Sequence, residues 1–326
     1  MATIFRSPLA LRLQAFGVSR QAAGQRGSAT HTILRRLDQF LAVELKPGDT
    51  ITQEVAQRWF QSMEHLSAGT RVNRVSVLRQ FCLYLHYFDP RTCIIHRTFV
   101  PRRNRRPPYI YSGKQVRQIM AAATRIGPRG SVRPLVTSTL IGLLFSAGLR
   151  IGEALRLDVA DLELKRRLLQ VRCTKFNKSR YVPLSPSTAD HLAAYLRQLR
   201  RAGFATSATS PLFVSILGNR YSASAFATAF LAIIRQLGIR GPRGHRGARI
   251  HDARHTFCVN RLLAWYRDGA NLFAKLPALS TYVGHASVSA TQVYLHKTAE
   301  LLVTAGKRFH AHFGIPPPKG KKHASR

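Results

Sequence analysis

Residues 161–184 read DLELKRRLLQVRCTKFNKSRYVPL. Three runs in this stretch, DLEL, LLQVRCT and RYVPL, are rich in branched and apolar residues, and the KRR and KFNKS stretches between them are turn-like. The pattern predicts three short strands. Pro183 cannot donate to a ladder, so it marks an edge or a strand end. On both sides the apolar residues recur at helical spacing. The expected fold is therefore mainly α with a small antiparallel β-sheet.

Before the strands, PLVTSTLIGLLFSAGL (134–149) is the most apolar run. It is shorter than the ~20 residues a membrane span needs and carries hydroxyls, so it reads as a buried helix. Ser112 is a plausible N-cap for GKQVRQIMAAATRIG. After the strands come helical patterns in TADHLAAYLRQLRR and SASAFATAFLAIIRQLG, then a basic Gly-rich loop, IRGPRGHRGARI, and HDARHTFCVNRLLAWY. Further upstream, Ile33, Leu34, Leu37, Leu41 and Leu45 share a helical face, and Thr52 could cap the next helix. Val72, Val75, Leu78 and Leu85 form another apolar face, with Arg71, Arg74 and Arg79 largely elsewhere on that helix. HRTFVPRRNRRPPYIYS (96–112), with Arg102, Arg103, Arg105 and Arg106, is Pro- and Arg-rich with little periodicity and reads as a linker along a phosphate backbone. Residues 1–27 are Arg-rich and acid-free. An organelle transit peptide has that composition, and so does a mobile basic arm, which is the reading preferred here.

The 326 residues hold 51 Lys+Arg against 14 Asp+Glu, a formal net charge of +37. An excess spread along the whole chain points to a polyanion, nucleic acid before membrane. Cys82, Cys93, Cys173 and Cys258 are far apart with no C-x-x-C pair, which argues against a zinc site or a disulfide framework and fits a reducing cytoplasm. No G-x-x-x-x-G-K-[ST] loop and no carboxylate cluster suited to Mg²⁺ is present in the sequence, so no cofactor is expected.

Polar residues set against the apolar elements carry the candidate chemistry. Arg150 and Glu153 lie three apart, as do His251 and Arg254; Lys175 sits in a β-turn, and His285 precedes Tyr294 by nine residues. Arginines and histidines can neutralise a phosphodiester and the charge it gains at the transition state. A tyrosine can attack phosphorus, a histidine can take the phenolic proton, and a lysine can protonate a departing 5′-oxygen.

Four segments, SAGLRIGEALRL, TKFNKSRYVPL, HDARHTF and YVGHASVSATQVYLH, resemble the signature boxes of the tyrosine recombinase (phage integrase) family, in the right order. The resemblance implies a two-domain DNA clamp: a basic arm (1–27), a helical core-binding domain (28–95), a basic linker (96–111), a catalytic domain (112–312) and a disordered basic tail (313–326). It makes Arg150 and Arg254 the phosphate clamps, with Glu153 supporting Arg150. Lys175 becomes the general acid and His251 the general base. His285 bonds a phosphate oxygen, and Tyr294 is the nucleophile that forms a 3′-phosphotyrosyl link. His255 takes a supporting role, and Lys178 touches backbone phosphate. Tyr282 competes with Tyr294 but stands where a bulky helix residue would pack. Two departures stand out: Val283 replaces the usual Leu, and the interval from Arg254 to His285 is longer than usual. The implied partners are double-stranded DNA, a tetramer of this chain on two duplexes and sibling recombinases, with no membrane, in a bacterial cytoplasm at the nucleoid. The alternatives are an inactive DNA-binding accessory protein of the same fold, a basic RNA-binding protein, and a type IB topoisomerase-like relaxer.

Overall fold

The computed structural model describes residues 5–23, 28–96, 107–128, 130–172, 179–245, 247–285 and 287–295. They divide into two compact units, one ending at 96 and one starting at 107. The linker arginines Arg102, Arg103, Arg105 and Arg106, the turn lysines Lys175 and Lys178, and the tail from 296 onward lie outside the described residues.

The first unit contains α1 (Ala10–Ala22), α2 (Ser28–Glu44), α3 (Gln53–Gln61) and α4 (Ala68–His86). The expected apolar faces meet in one core, with Leu34, Leu37, Leu41, Val75, Leu78 and Leu85 buried. The Thr52 side chain caps α3 by accepting from the Val55 amide at 3.5 Å. Part of the expected N-terminal arm is corrected here. Residues 10–22 are a helix whose Leu13 and Phe16, three apart, are buried in that core, and Phe16 lies 5.3 Å from the Phe81 ring. Buried Asp38 accepts from the Arg6 and Ser7 amides at 2.9 Å each and fixes the segment leading into α1. Arg71, Arg74 and Arg79 on α4 are half-buried. Arg79 Nε donates to the Ile95 carbonyl at 3.0 Å and ties α4 to the chain that follows it.

The second unit begins at α5 (Gly113–Ala123), closed at its start by a capping box in which Ser112 and Gln115 satisfy each other's backbone amides. The apolar run forms α6 (Arg133–Ala147), buried along most of its length against α5, α8 (Pro186–Arg201) and α10 (His251–Arg267). A short helix, α7 (Ile151–Ala154), leads to the three-stranded sheet of β1 (Leu162–Glu163), β2 (Leu168–Val171) and β3 (Arg180–Pro183). The strands lie in order β1-β2-β3, all antiparallel, with Leu162 opposite Leu169 and Leu169 opposite Val182. That register puts Leu162, Leu169, Val171 and Val182 on the buried face. Then follow α8, α9 (Ala223–Gln236), α10, α11 (Leu272–Val283) and the single turn α12 (Ser289–Gln292). The long interval between Arg254 and His285 is thus the rest of α10, a short connection and the whole of α11. No helix among the described residues is long and apolar enough to cross a membrane.

α6 stops at Gly148, which adopts φ +62°. A β-carbon there would lie 2.4 Å from the Phe257 ring on α10. Both the left-handed backbone and the close helix approach therefore demand glycine. Gly148→Ala is expected to lower unfolding stability by about 2–4 kcal/mol, combining backbone strain with overpacking. Thermal and urea melts check this, and an unchanged midpoint contradicts it.

Candidate active site

The site forms around the C-terminal end of α11. The His285 amide donates to the Ser280 carbonyl at 2.9 Å and the Gly284 amide to the Thr281 carbonyl at 3.0 Å. Gly284, at φ +67°, supplies the left-handed turn this closure requires. The next three carbonyls still need donors. Arg180 Nε donates to Tyr282 O at 2.8 Å, Arg254 Nη2 to Val283 O, and Arg150 Nη2 to Gly284 O at 2.9 Å. Three guanidinium groups, from β3, α10 and the residue preceding α7, thus meet one short turn. Cations at this end also oppose the negative end of the helix dipole.

Glu153 on α7, 3 % exposed, links two of them. It pairs with Arg150 Nη1 at 2.7 Å and Arg180 Nη2 at 2.9 Å, and it accepts from the Arg150 amide at 3.0 Å. Burial alone would raise its pKa. The hydrogen bond and charge of Arg180, then those of Arg150, outweigh burial and hold it at about 2. Arg254 is 2 % exposed and also donates to Gly148 O at 2.9 Å. Burial first, then repulsion from Arg150, pulls its pKa down to about 10. Arg150 keeps an open edge, with 36 % of its side chain exposed.

Tyr294 follows α12 and is 3 % exposed. Its hydroxyl lies 2.6 Å from His255 Nδ1, and its ring lies nearly parallel to that of His285, centroids 6.3 Å apart. His285 Nδ1 meets Thr291 Oγ1 at 2.7 Å. Burial, then the cations Arg254 and Arg150, drives the His285 pKa down to about 4, so its imidazole is neutral at pH 7. Burial, then Cys258, pushes the Tyr294 phenol above its ordinary value, while Arg254 pulls the other way. His251 stands at the start of α10 with its ring edge-on to His255 at 4.8 Å.

Arg150, Glu153, Arg254, His255, His285 and Tyr294 therefore share one neighbourhood within the second unit, and His251 borders it. Tyr282 packs instead: its ring stacks on Phe257 at 5.4 Å and its hydroxyl donates to Pro183 O at 3.1 Å. Arg180 and Thr291 are participants that sequence reasoning missed. In sequence Arg180 closes a short cationic run with Lys175 and Lys178, where charge alone does not distinguish it from them. Its position two residues before the buried Val182 places it on the inward face of β3, the signal that could have found it.

Residues 111–300 match the family model described as the phage integrase family. A Sinorhizobium fredii relative named as integrase/recombinase y4rB is 38% identical over 273 residues, spanning 82% of this chain and 87% of its own. Tyrosine recombinase XerC of Mycobacterium bovis is 28% identical over 284 residues, 85% of this chain and 89% of its own. Among solved structures, the XerH site-specific recombinase bound to palindromic difH substrate aligns with a TM-score of 0.64 at 19% identity, over 94% of this chain and 85% of that one. The Tn1549 transposon integrase in complex with transposon right end DNA aligns with a TM-score of 0.62 at 19% identity, over 91% and 99%. At such identity these two likenesses speak for the fold.

The half-buried, neutral His285 imidazole makes stability depend on pH. An unfolded histidine titrates near 6.5, and His285 in the fold at about 4. Between those values the unfolded chain binds more protons, so stability rises with pH across the window and is lost as pH falls through it. Glu153 adds a second loss at lower pH, present above the ordinary 4.5 and gone as pH falls through about 2. Melting temperatures are expected to drop from pH 6.5 to 4, with a shallower slope in His285→Gln. Equal slopes in the two proteins contradict the assignment.

Proposed function

The chain belongs to the phage integrase family of tyrosine recombinases, and from that premise we propose that it is a site-specific DNA recombinase. It cuts and rejoins duplex DNA through a 3′-phosphotyrosyl intermediate, in the integration, transposition or resolution of a mobile element. The observation that supports this reading is geometric: the Tyr294 hydroxyl lies 2.6 Å from Nδ1 of His255, the residue next to Arg254 on α10, and Arg254 and Arg150 both donate to the turn at Val283–Gly284 that precedes it.

In the proposed reaction the scissile phosphate docks at the open edge of Arg150. Arg254 and His285 add positive charge and a hydrogen-bond donor to the oxygens that gain charge at the transition state. Glu153 holds Arg150 in place. Tyr294 Oη attacks phosphorus, and the 5′-oxygen leaves as a hydroxyl after taking a proton from Lys175, a role that rests on the family pattern. The phosphotyrosyl bond is itself a phosphoester, so a second 5′-hydroxyl can displace the tyrosine with no outside energy source. The family pattern gives the base to His251, whereas the hydrogen bond to the phenol in this structure is made by His255.

The net charge of +37 supports duplex DNA as the substrate. Arg71, Arg74 and Arg79, the linker arginines and Lys178 are the proposed backbone contacts. Work as a tetramer on two duplexes, with this chain or with sibling recombinases, follows from the same family reading.

Tyr294→Phe is expected to abolish the covalent adduct on a nicked suicide substrate while leaving DNA binding intact; adduct that persists overturns the assignment. Arg150→Ala or Arg254→Ala should each slow cleavage by ~10²-fold or more, the loss typical of one charge-stabilising donor. Binding should weaken with salt at a log–log slope near −7 if about eight phosphates are neutralised, and a flat response rules that picture out.

A further inference from the structure

We propose that His255 is the base that takes the phenolic proton of Tyr294, a catalytic role beyond the six positions of the family pattern. The proposal rests on the reading of Tyr294 as the nucleophile. Its footing is geometric: the Tyr294 hydroxyl and His255 Nδ1 are 2.6 Å apart, with ring centroids 5.4 Å apart. A buried phenol keeps its proton, so the O–H donates and Nδ1 accepts. That fixes the neutral imidazole with its own proton on Nε2.

The other groups around the phenol are poorer acceptors. Cys258, one helical turn beyond Arg254 on α10, is fully buried, and burial pushes its thiol up to about 11, so it is no thiolate at neutral pH. His285 lies parallel to the phenol ring and engages Thr291 Oγ1 through Nδ1. His251 stands edge-on to the His255 ring at 4.8 Å, one turn back along α10. Positions 251, 255 and 258 recur at helical spacing and form one stripe of α10. Within that stripe, His255 is the imidazole at hydrogen-bonding distance from the hydroxyl.

The step balances. A bond forms between Tyr294 Oη and phosphorus while the P–O5′ bond breaks. The Oη proton passes to Nδ1, giving an imidazolium, and the 5′-oxygen departs as a hydroxyl with a proton from Lys175. In the reverse step the imidazolium returns its proton to Oη as the phenol leaves. The imidazolium forms among cations only while the phosphate, gaining negative charge, lies beside it, so proton transfer is coupled to substrate occupancy.

The test compares adduct formation by full-length protein on a nicked suicide substrate. Wild type and Tyr294→Phe establish the nucleophile: no adduct in wild type, or adduct in Tyr294→Phe, overturns that reading and this proposal with it, whereas the histidine variants below test this proposal alone. His255→Asn keeps an acceptor near Nδ1 but cannot hold a proton. It is expected to bind DNA normally and to form adduct ~10²-fold more slowly, the usual contribution of a positioned base. Placing the more acidic 3,5-difluorotyrosine at position 294 should recover most of that loss in His255→Asn but not the loss in His251→Asn. Adduct at or above the wild-type rate in His255→Asn marks the bond as a resting latch and overturns the proposal, as does a deficit indifferent to phenol acidity. Should His255→Asn fail to fold, His255→Ala with added imidazole decides: restored rate supports the role, and an unrestored rate overturns it.

Discussion

A partly buried helix end leaves carbonyls that must find donors, and at the end of α11 the donors are Arg180, Arg254 and Arg150. The rest of the site depends on this. An orphaned buried carbonyl is costly, so each arginine is held where it is by a need of the backbone. The three arginines come from segments distant in sequence, and fastening them to one turn draws α7, the sheet and α10 around it. The residues next in sequence, His285 and then Tyr294, are placed by the same turn. One constraint on backbone hydrogen bonding thus assembles a cationic pocket and sets a phenol beside it.

The cost of that arrangement is electrostatic. Arg150 and Arg180 share the single carboxylate of Glu153, and Arg254 is almost wholly removed from water. Burial first, and then repulsion between like charges, depresses the Arg254 and His285 pKa values. In the proposed reaction a phosphodiester supplies the missing negative charge, and the transition state supplies more. Under that proposal the resting site is better matched to the reacting substrate than to water, the condition for lowering a barrier without raising ground-state affinity alone. Tyr294, the proposed nucleophile, rests buried with its phenol pushed above the ordinary range.

Much of the fold was legible in the chain. The switch to short alternating runs at 161–184 gave the strands, and their register follows from burying Leu162, Leu169 and Val182 together. The Ser112 cap and the stop of α6 at Gly148 are local chemistry, and local chemistry can be read from sequence. Helix α1 was not legible. Its acid-free, basic composition hides a buried face of only Leu13 and Phe16, too few apolar positions to outvote the charge. Arg180 was obscured for a related reason: a run of cations in one turn looks interchangeable until strand pairing decides which points inward.

By itself the sequence determined the family, because four ordered segments match its signature boxes and residues 111–300 match its model. It also determined which positions were candidates. Tertiary structure alone decided the pairings: that Arg180 shares Glu153 with Arg150, that Arg254 serves two carbonyls, and that His255 rather than His251 meets the Tyr294 hydroxyl. Helical spacing puts both histidines on one stripe of α10, and they differ only by one turn along its axis. Which turn faces the phenol depends on how α10 and the chain after α11 pack, a contact between residues 39 apart that no local pattern encodes.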